Sequence, residues 1–202
     1  MPDWDEDSPE LRENLRVVLL GIRDNAQQRL PLTLQVVRGW HRDTMKGLTV
    51  PNSAWVGRFR GEKGLESINV GIGKHRGSPA DKVAEEIKEF ASRLSAIVAR
   101  MDKAITRVAN LTADQLEAVL NVCAWAHSEW VRIHPFANGN GRTARLLANA
   151  VALRYGLPPF VRLRPRPNHG YDRAAEASMR ADHRPLTQAF RRMLNAVLSG
   201  IN

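Results

Sequence analysis

The sequence predicts a mainly α-helical domain, and three observations carry that prediction. Apolar residues recur at three- and four-residue spacing along most of the chain, which is the period of one helix face. Several of these stretches open on a Ser or Thr able to cap the first turn, with Pro or Gln where a helix start favours them. Strand-like alternation is confined to one short run in a glycine-rich middle segment.

The first helix runs from Ser8 to about Asp24. Leu11, Leu15, Val18, Leu19 and Ile22 form its apolar side, and Ser8-Pro9 its start. A second covers residues 32 to 46, with Leu34, Val37 and Trp40 on one side. Residues 47 to 79 hold seven of the fourteen glycines and the run Ser67-Ile68-Asn69-Val70-Gly71-Ile72. That run reads as an extended segment, half of a hairpin. Ser78-Pro79 then caps a helix striped by Val83, Ile87, Phe90, Leu94, Ile97 and Val98. Thr112 and Gln115 have capping-box spacing. The helix they open carries Leu116, Val119, Leu120, Cys123, Trp130 and Val131 and runs straight into His134. A further apolar helix includes Leu146, Leu147, Ala150, Val151 and Leu153 and stops at Gly156-Leu157-Pro158-Pro159. Residues 158 to 168, rich in Pro and Arg, read as a loop, and the last helical pattern spans Arg184 to Leu198. Residues 1–30 form an N-terminal helical arm and residues 31–202 the main domain.

A chain of 202 residues, 43% of them hydrophobic, can bury a real core. The net charge of +9 favours anionic ligands. The arginines are scattered, aromatics make up only 6%, and no helix-turn-helix or zinc pattern appears, so nucleic acid is not the expected partner. The single cysteine, Cys123, excludes an intramolecular disulfide framework and falls in an apolar helical pattern, as a buried, inert thiol would. The acidic N-terminus is unlike a signal peptide, and no apolar run is long enough to span a bilayer. A cytoplasmic protein with no membrane partner is expected, with delivery into another cell left open.

Residues 134 to 145 read His-Pro-Phe-Ala-Asn-Gly-Asn-Gly-Arg-Thr-Ala-Arg. Gly139 and Gly141 let successive amides turn inward as an anion nest. A helix starting there adds partial positive charge. Arg142 and Arg145, at i and i+3, share one face of that helix and can fork onto one polyphosphate. Two such cations at a helix N-terminus oppose its dipole unless an anion arrives. His134 lies within reach as a base for an incoming hydroxyl. The pattern is that of a phosphoryl- or nucleotidyl-transfer site. The remaining histidines (His41, His75, His127, His169, His183) have no partners at metal-ligand spacing, and His127 shares a face with Cys123 and Trp130, as a hydrogen-bonded core residue would.

The dodecamer resembles the signature of Fic-domain proteins, His-x-Phe-x-(Asp/Glu)-Gly-Asn-Gly-Arg-x-x-Arg. It matches at His134, Phe136, Gly139, Asn140, Gly141, Arg142 and Arg145 and departs at Asn138. A weaker likeness runs from about Leu34 to about Leu194. Within it Gly57-Arg58-Phe59-Arg60 is similar to the segment before the family's flap, and Asp182-His183-Arg184-Pro185-Leu186 to its closing helix. The resemblance implies a Fic-type helical bundle with a small β-hairpin flap. It implies transfer of AMP from MgATP to a Ser, Thr or Tyr hydroxyl of a target protein, self-modification included. His134 would be the base and Phe136 an anchor of the loop in the core. Asn140 would help hold the α-phosphate, Arg142 the β-phosphate side and Arg145 the γ-phosphate. Val70, Gly71 and Ile72 would form a flap that docks the target by strand pairing.

At position 138 the family has an acidic Mg²⁺ ligand. Asn138 offers a neutral carbonyl, which binds the metal more weakly. Two alternatives therefore stay open: phosphate or another nucleotide-derived transfer on the same fold, and a module that binds nucleotide or a partner without turnover. Some relatives also carry a regulatory helix of pattern (Ser/Thr)-x-x-x-Glu-(Gly/Asn), whose glutamate blocks the second arginine. Glu13-Asn14 matches it in part, since Pro9 stands where Ser or Thr is expected. The resemblance thus sets inhibition by Glu13 against inhibition by a separate chain.

Overall fold

A computed structural model of the chain describes residues 8–72, 74–106, 111–167 and 170–200, with Ile72 described by its backbone alone. Among them are seven α-helices: α1 (Pro9–Gln27), α2 (Leu34–Thr44), α3 (Ala80–Ala104), α4 (Ala113–Ile133), α5 (Asn140–Arg154), α6 (Tyr171–Ser178) and α7 (Arg184–Leu198). One antiparallel pair, β1 (Gly71–Ile72) and β2 (His75–Arg76), sets Gly71 opposite Arg76 and Ile72 opposite His75. The mainly helical bundle with a small hairpin is the fold class expected from the sequence.

Caps fix several helix starts where the sequence places them. Ser8 Oγ accepts from the Leu11 amide at 3.1 Å. Thr112 and Gln115 exchange both capping-box hydrogen bonds. Each such cap stabilises its helix by about 1 kcal/mol. Ser78 behaves differently from expectation: α3 is capped at Pro79 without a side-chain bond, because the Ser78 hydroxyl donates to Glu86 at 2.8 Å. The extended run 67–72 also shortens to two strand residues. Its ladder gains one more bond, from the Gly77 amide to the Val70 carbonyl at 3.2 Å.

Helix α5 is the central element, buried around nearly its whole circumference. Ala144, Ala148, Ala150 and Ala152 keep it slim, so α4 and α1 pack closely against it. At its C-terminal end Arg154 donates to the Leu30 carbonyl at 2.9 Å and pairs with Asp102 at 2.6 Å. Beneath the loop between α4 and α5, Phe136 packs on Phe59 and Trp130 with ring centroids 4.9 and 5.8 Å apart. Rigid buried helices thus flank the dodecamer on both sides, as positioning a reactive loop requires. No helix of the described residues is long and apolar enough to cross a membrane.

Helix α6 lies where no helical pattern is expected from the sequence. It has eight residues and no side-chain cap, Gly170 at φ 87° preceding it. What holds it is tertiary packing, chiefly the burial of Tyr171, Ala174 and Ser178.

Candidate active site

His134 terminates α4 in the left-handed region, at φ 54° and ψ 58°. That conformation is costly for a residue with a Cβ and is held here by its surroundings. The ring nitrogen Nδ1 lies 2.8 Å from the Val131 carbonyl. A carbonyl can only accept, so Nδ1 carries the proton and the Nε2 lone pair is left for chemistry. Burial lowers the ring to about 4, the Val131 bond opposes this, and the Arg60 charge adds to the lowering. At neutral pH His134 is therefore an uncharged base.

The backbone of this residue is clamped from below. Arg60, fully buried, donates through Nε to the His134 carbonyl at 2.7 Å. Its terminal nitrogens reach the carbonyls of Ile68 at 3.0 Å, Ser78 at 2.8 Å and Ile133 at 2.9 Å. Both stems of the hairpin and the end of α4 therefore share one guanidinium. Gly77 passes so close to His134 that a Cβ there would lie 2.6 Å from the His134 Cβ, which explains a glycine at this position.

Gly139, at φ 78°, is the N-cap of α5. Any side chain there would also strike the Met45 methyl at 2.9 Å. The Asn140 carboxamide pairs with both backbone groups of Phe136, at 2.9 and 2.8 Å. It braces the loop from within. Helix geometry leaves the amides of the first turn of α5 without intrahelical partners, facing outward as an anion site.

Arg142 and Arg145 are both buried. Arg142 Nη2 lies 3.6 Å from the Met45 sulfur. Arg145 folds back over Gly141, Nη2 donates to the Leu163 carbonyl at 3.3 Å, and Nε has no hydrogen-bond partner among the described residues. Tyr171 Oη bonds to His127 Nε2 at 2.6 Å. Burial, with the charges of Arg145 and Arg166 adding to it, takes His127 down to about 3. Neutral His127 is the hydrogen-bonded core residue expected from its helical face, and Cys123, fully buried with its pKa raised by that burial, is the inert thiol.

These groups surround a cleft of about 930 Å³, lined among others by His134, Arg142, Arg145, Val70 and Gly71. That volume suits a nucleotide. The acidic side chains on its wall are already paired: Asp172 with Arg166 at 2.6 Å, and Glu176 with His75 at 3.2 Å. The second pair links the hairpin to α6 across the cleft. Of the expected flap, Val70 and Gly71 line the cleft, Ile72 contributes a backbone pairing with His75, and its side chain lies outside the described residues.

Asn138 lines the cleft, but its side-chain oxygen accepts from the Gly139 amide. Among the described residues no group of three His, Cys, Asp or Glu side chains could hold a metal. One neutral, already engaged oxygen does not make a metal site, so the residues present do not fit a protein-held Mg²⁺.

The expected contact between Glu13 and Arg145 is not formed. Glu13 is exposed and its carboxylate is taken by Arg16, 2.7 Å away on the next turn of α1. The neighbouring Asn14 instead faces inward, donating to the carbonyls of Lys46 at 2.7 Å and Thr44 at 3.4 Å. The helical phase of α1 turns Glu13 outward when Leu11 and Leu15 enter the core.

The Fic/DOC family model matches residues 31–152, a span that contains the base, the anion loop, both arginines and the hairpin. The chain belongs to the Fic/DOC family. It is 42% identical over 66 residues, a third of its length, to the protein adenylyltransferase Fic of Nematostella vectensis. It is 33% identical over 97 residues, 48% of its length, to the protein adenylyltransferase fic-1 of Caenorhabditis elegans. These matches span only 15% and 16% of those relatives. In fold it is similar to a Fic-domain-containing signaling protein from Bacteroides thetaiotaomicron, with a TM-score of 0.65 at 20% identity, over 92% of this chain and 69% of the other. Residues 134–508 of C. elegans Fic-1 superpose with a TM-score of 0.58 at 20% identity, over 99% of this chain and 55% of that one.

Arg60, and His41, whose Nε2 lies 3.0 Å from the Asn138 carbonyl, carry much of this geometry and do not stand out as site residues in the sequence. Their only signal was position, ahead of and within the Gly57-Arg58-Phe59-Arg60 segment.

Proposed function

We propose that this Fic protein transfers AMP from ATP to a Ser, Thr or Tyr hydroxyl of a protein target. One observation carries the reading: a neutral histidine with a bare Nε2 lines the same cleft as two buried arginines at the N-terminus of α5. His134 Nε2 takes the proton as the hydroxyl oxygen bonds to the α-phosphorus and the bond to pyrophosphate breaks. The first-turn amides of α5 and the arginines bear the charge of the phosphates, the larger contribution in such transfers. The likeness to relatives named protein adenylyltransferases supports AMP as the group moved. The hairpin beside His134 suits an extended target segment, added as a strand.

A binding module without turnover is the second reading, favoured by the Asn138 oxygen being turned onto the Gly139 amide rather than into the cleft. Incubation with ATP labelled at the α- or the γ-phosphate separates these readings. AMP transfer puts only the α-label on protein. A γ-label on protein overturns it in favour of phosphate transfer, and ATP binding with no label on any lysate protein supports the module.

A further inference from the structure

His41 sits in α2, and no step of the transfer chemistry uses it. Its ring is buried and stacked on Phe136, with centroids 3.8 Å apart and planes at 22°. The Gly57 amide donates to Nδ1 at 2.9 Å. An amide can only donate, so Nδ1 is the bare nitrogen and the ring proton resides on Nε2. That N–H points at the Asn138 carbonyl, 3.0 Å away.

The Asn138 carbonyl and the Gly139 amide belong to one peptide unit. The unit is planar and trans, so fixing the carbonyl in one direction fixes the N–H in the opposite one. The side-chain oxygen of Asn138 accepts that N–H, which marks the side of the loop where an acceptor sits. Gly139 brings no Cβ to restrain its own backbone, so a restraint from beyond the loop adds to the brace that Asn140 supplies within it. In this arrangement it comes from His41, which also ties the loop to the backbone of the Gly57 segment.

We propose that His41 is the positioning residue of the anion loop, its Nε2–H holding the Asn138–Gly139 peptide so that the amides at the head of α5 face the phosphates of the nucleotide. The inference rests on the nucleotide reading of the cleft, and the test separates the two. His41→Asn keeps an acceptor for Gly57 but loses the reach to Asn138. His41→Gln places a side-chain N–H near the position of Nε2.

Binding of ATP, inorganic tripolyphosphate and adenosine to the full chain is measured by calorimetry, with the fold checked by circular dichroism and thermal midpoint. The expectation is that His41→Asn weakens ATP and tripolyphosphate about tenfold, the loss of one buried hydrogen bond. Adenosine affinity stays unchanged, and His41→Gln recovers most of the phosphate affinity. Equal losses for adenosine and tripolyphosphate, or a His41→Asn protein that binds tripolyphosphate like the parent, overturn the positioning role alone. So does His41→Gln performing no better than His41→Asn. A parent protein that binds neither ATP nor tripolyphosphate overturns the nucleotide reading and this inference with it.

Discussion

The guanidinium of Arg60 and the backbone of His134 form a clamp: Nε donates to the His134 carbonyl at 2.7 Å while Nη2 holds the Ile133 carbonyl beside it at 2.9 Å. A helix end leaves carbonyls without partners, and a residue in the left-handed region needs its surroundings to hold it there. One side chain 74 positions earlier in the sequence meets both needs.

Arg60→Lys keeps the charge and removes the fork, since an ammonium cannot reach four carbonyls in fixed directions. The expected loss is about 3 kcal/mol of stability, read from urea unfolding. The transfer rate should fall further than the fraction of unfolded protein explains. A rate that tracks folded fraction alone would leave Arg60 with a purely structural role.

His134→Ala should cost transfer at least about a hundredfold, the scale of a general base, with ATP affinity nearly intact. With the ring lowered to about 4, the parent's rate should rise as pH passes that value and be level through neutrality. Weakened ATP binding with turnover preserved would place the base elsewhere.

Asn138→Asp adds a carboxylate where the chain has a neutral oxygen turned onto Gly139. ATP affinity should then gain a dependence on Mg²⁺, compared by titration with and without the metal, and the transfer rate should increase. An Asp variant with the parent's metal response would show a site adapted to its asparagine.

Glu13→Gly tests the outward placement of that carboxylate. The Glu13–Arg16 pair is exposed, and such pairs contribute little. The rate of transfer should therefore match the parent within error in a labelled-ATP assay. A marked gain would mean that Glu13 reaches the arginines in a conformation other than this one.

Two buried histidines, His41 and His127, and the half-buried His134 make the fold acid-sensitive. Burial lowers His41 to about 4, His127 to about 3 and His134 to about 4. Each folded value lies below the unfolded one, so the unfolded chain binds more protons as pH falls. Their contribution is fully present above about 6.5 and is lost as pH falls through the folded values, on the order of 3 kcal/mol per histidine. Urea midpoints measured from pH 7.5 down to 4 should decline across that window, and His127→Gln should flatten the decline. A flat profile in the parent would contradict neutral burial.

The sequence announced what is local. Caps at Ser8 and Thr112 and the stripes of α1, α3 and α4 are read within a few residues, and so is the dodecamer with its base, glycines and arginines. What stayed hidden is long-range and ends on backbone. His41 and Arg60 recognise carbonyls and amides of Gly57, Asn138, His134 and Ile68, and a backbone group has no letter in the sequence. Helix α6 was missed for a related reason, since Tyr171 becomes informative only once His127 is beside it.

The Ile68 and Ser78 carbonyls, the two stems of the hairpin, are held by the same buried guanidinium that holds His134. The span between them is therefore a cassette on fixed mounts. Within it Gly77, whose place beside His134 tolerates no side chain, is tied to the base it adjoins. On the proposed strand-docking reading, target preference would be set between these mounts while Arg60 keeps His134 in place.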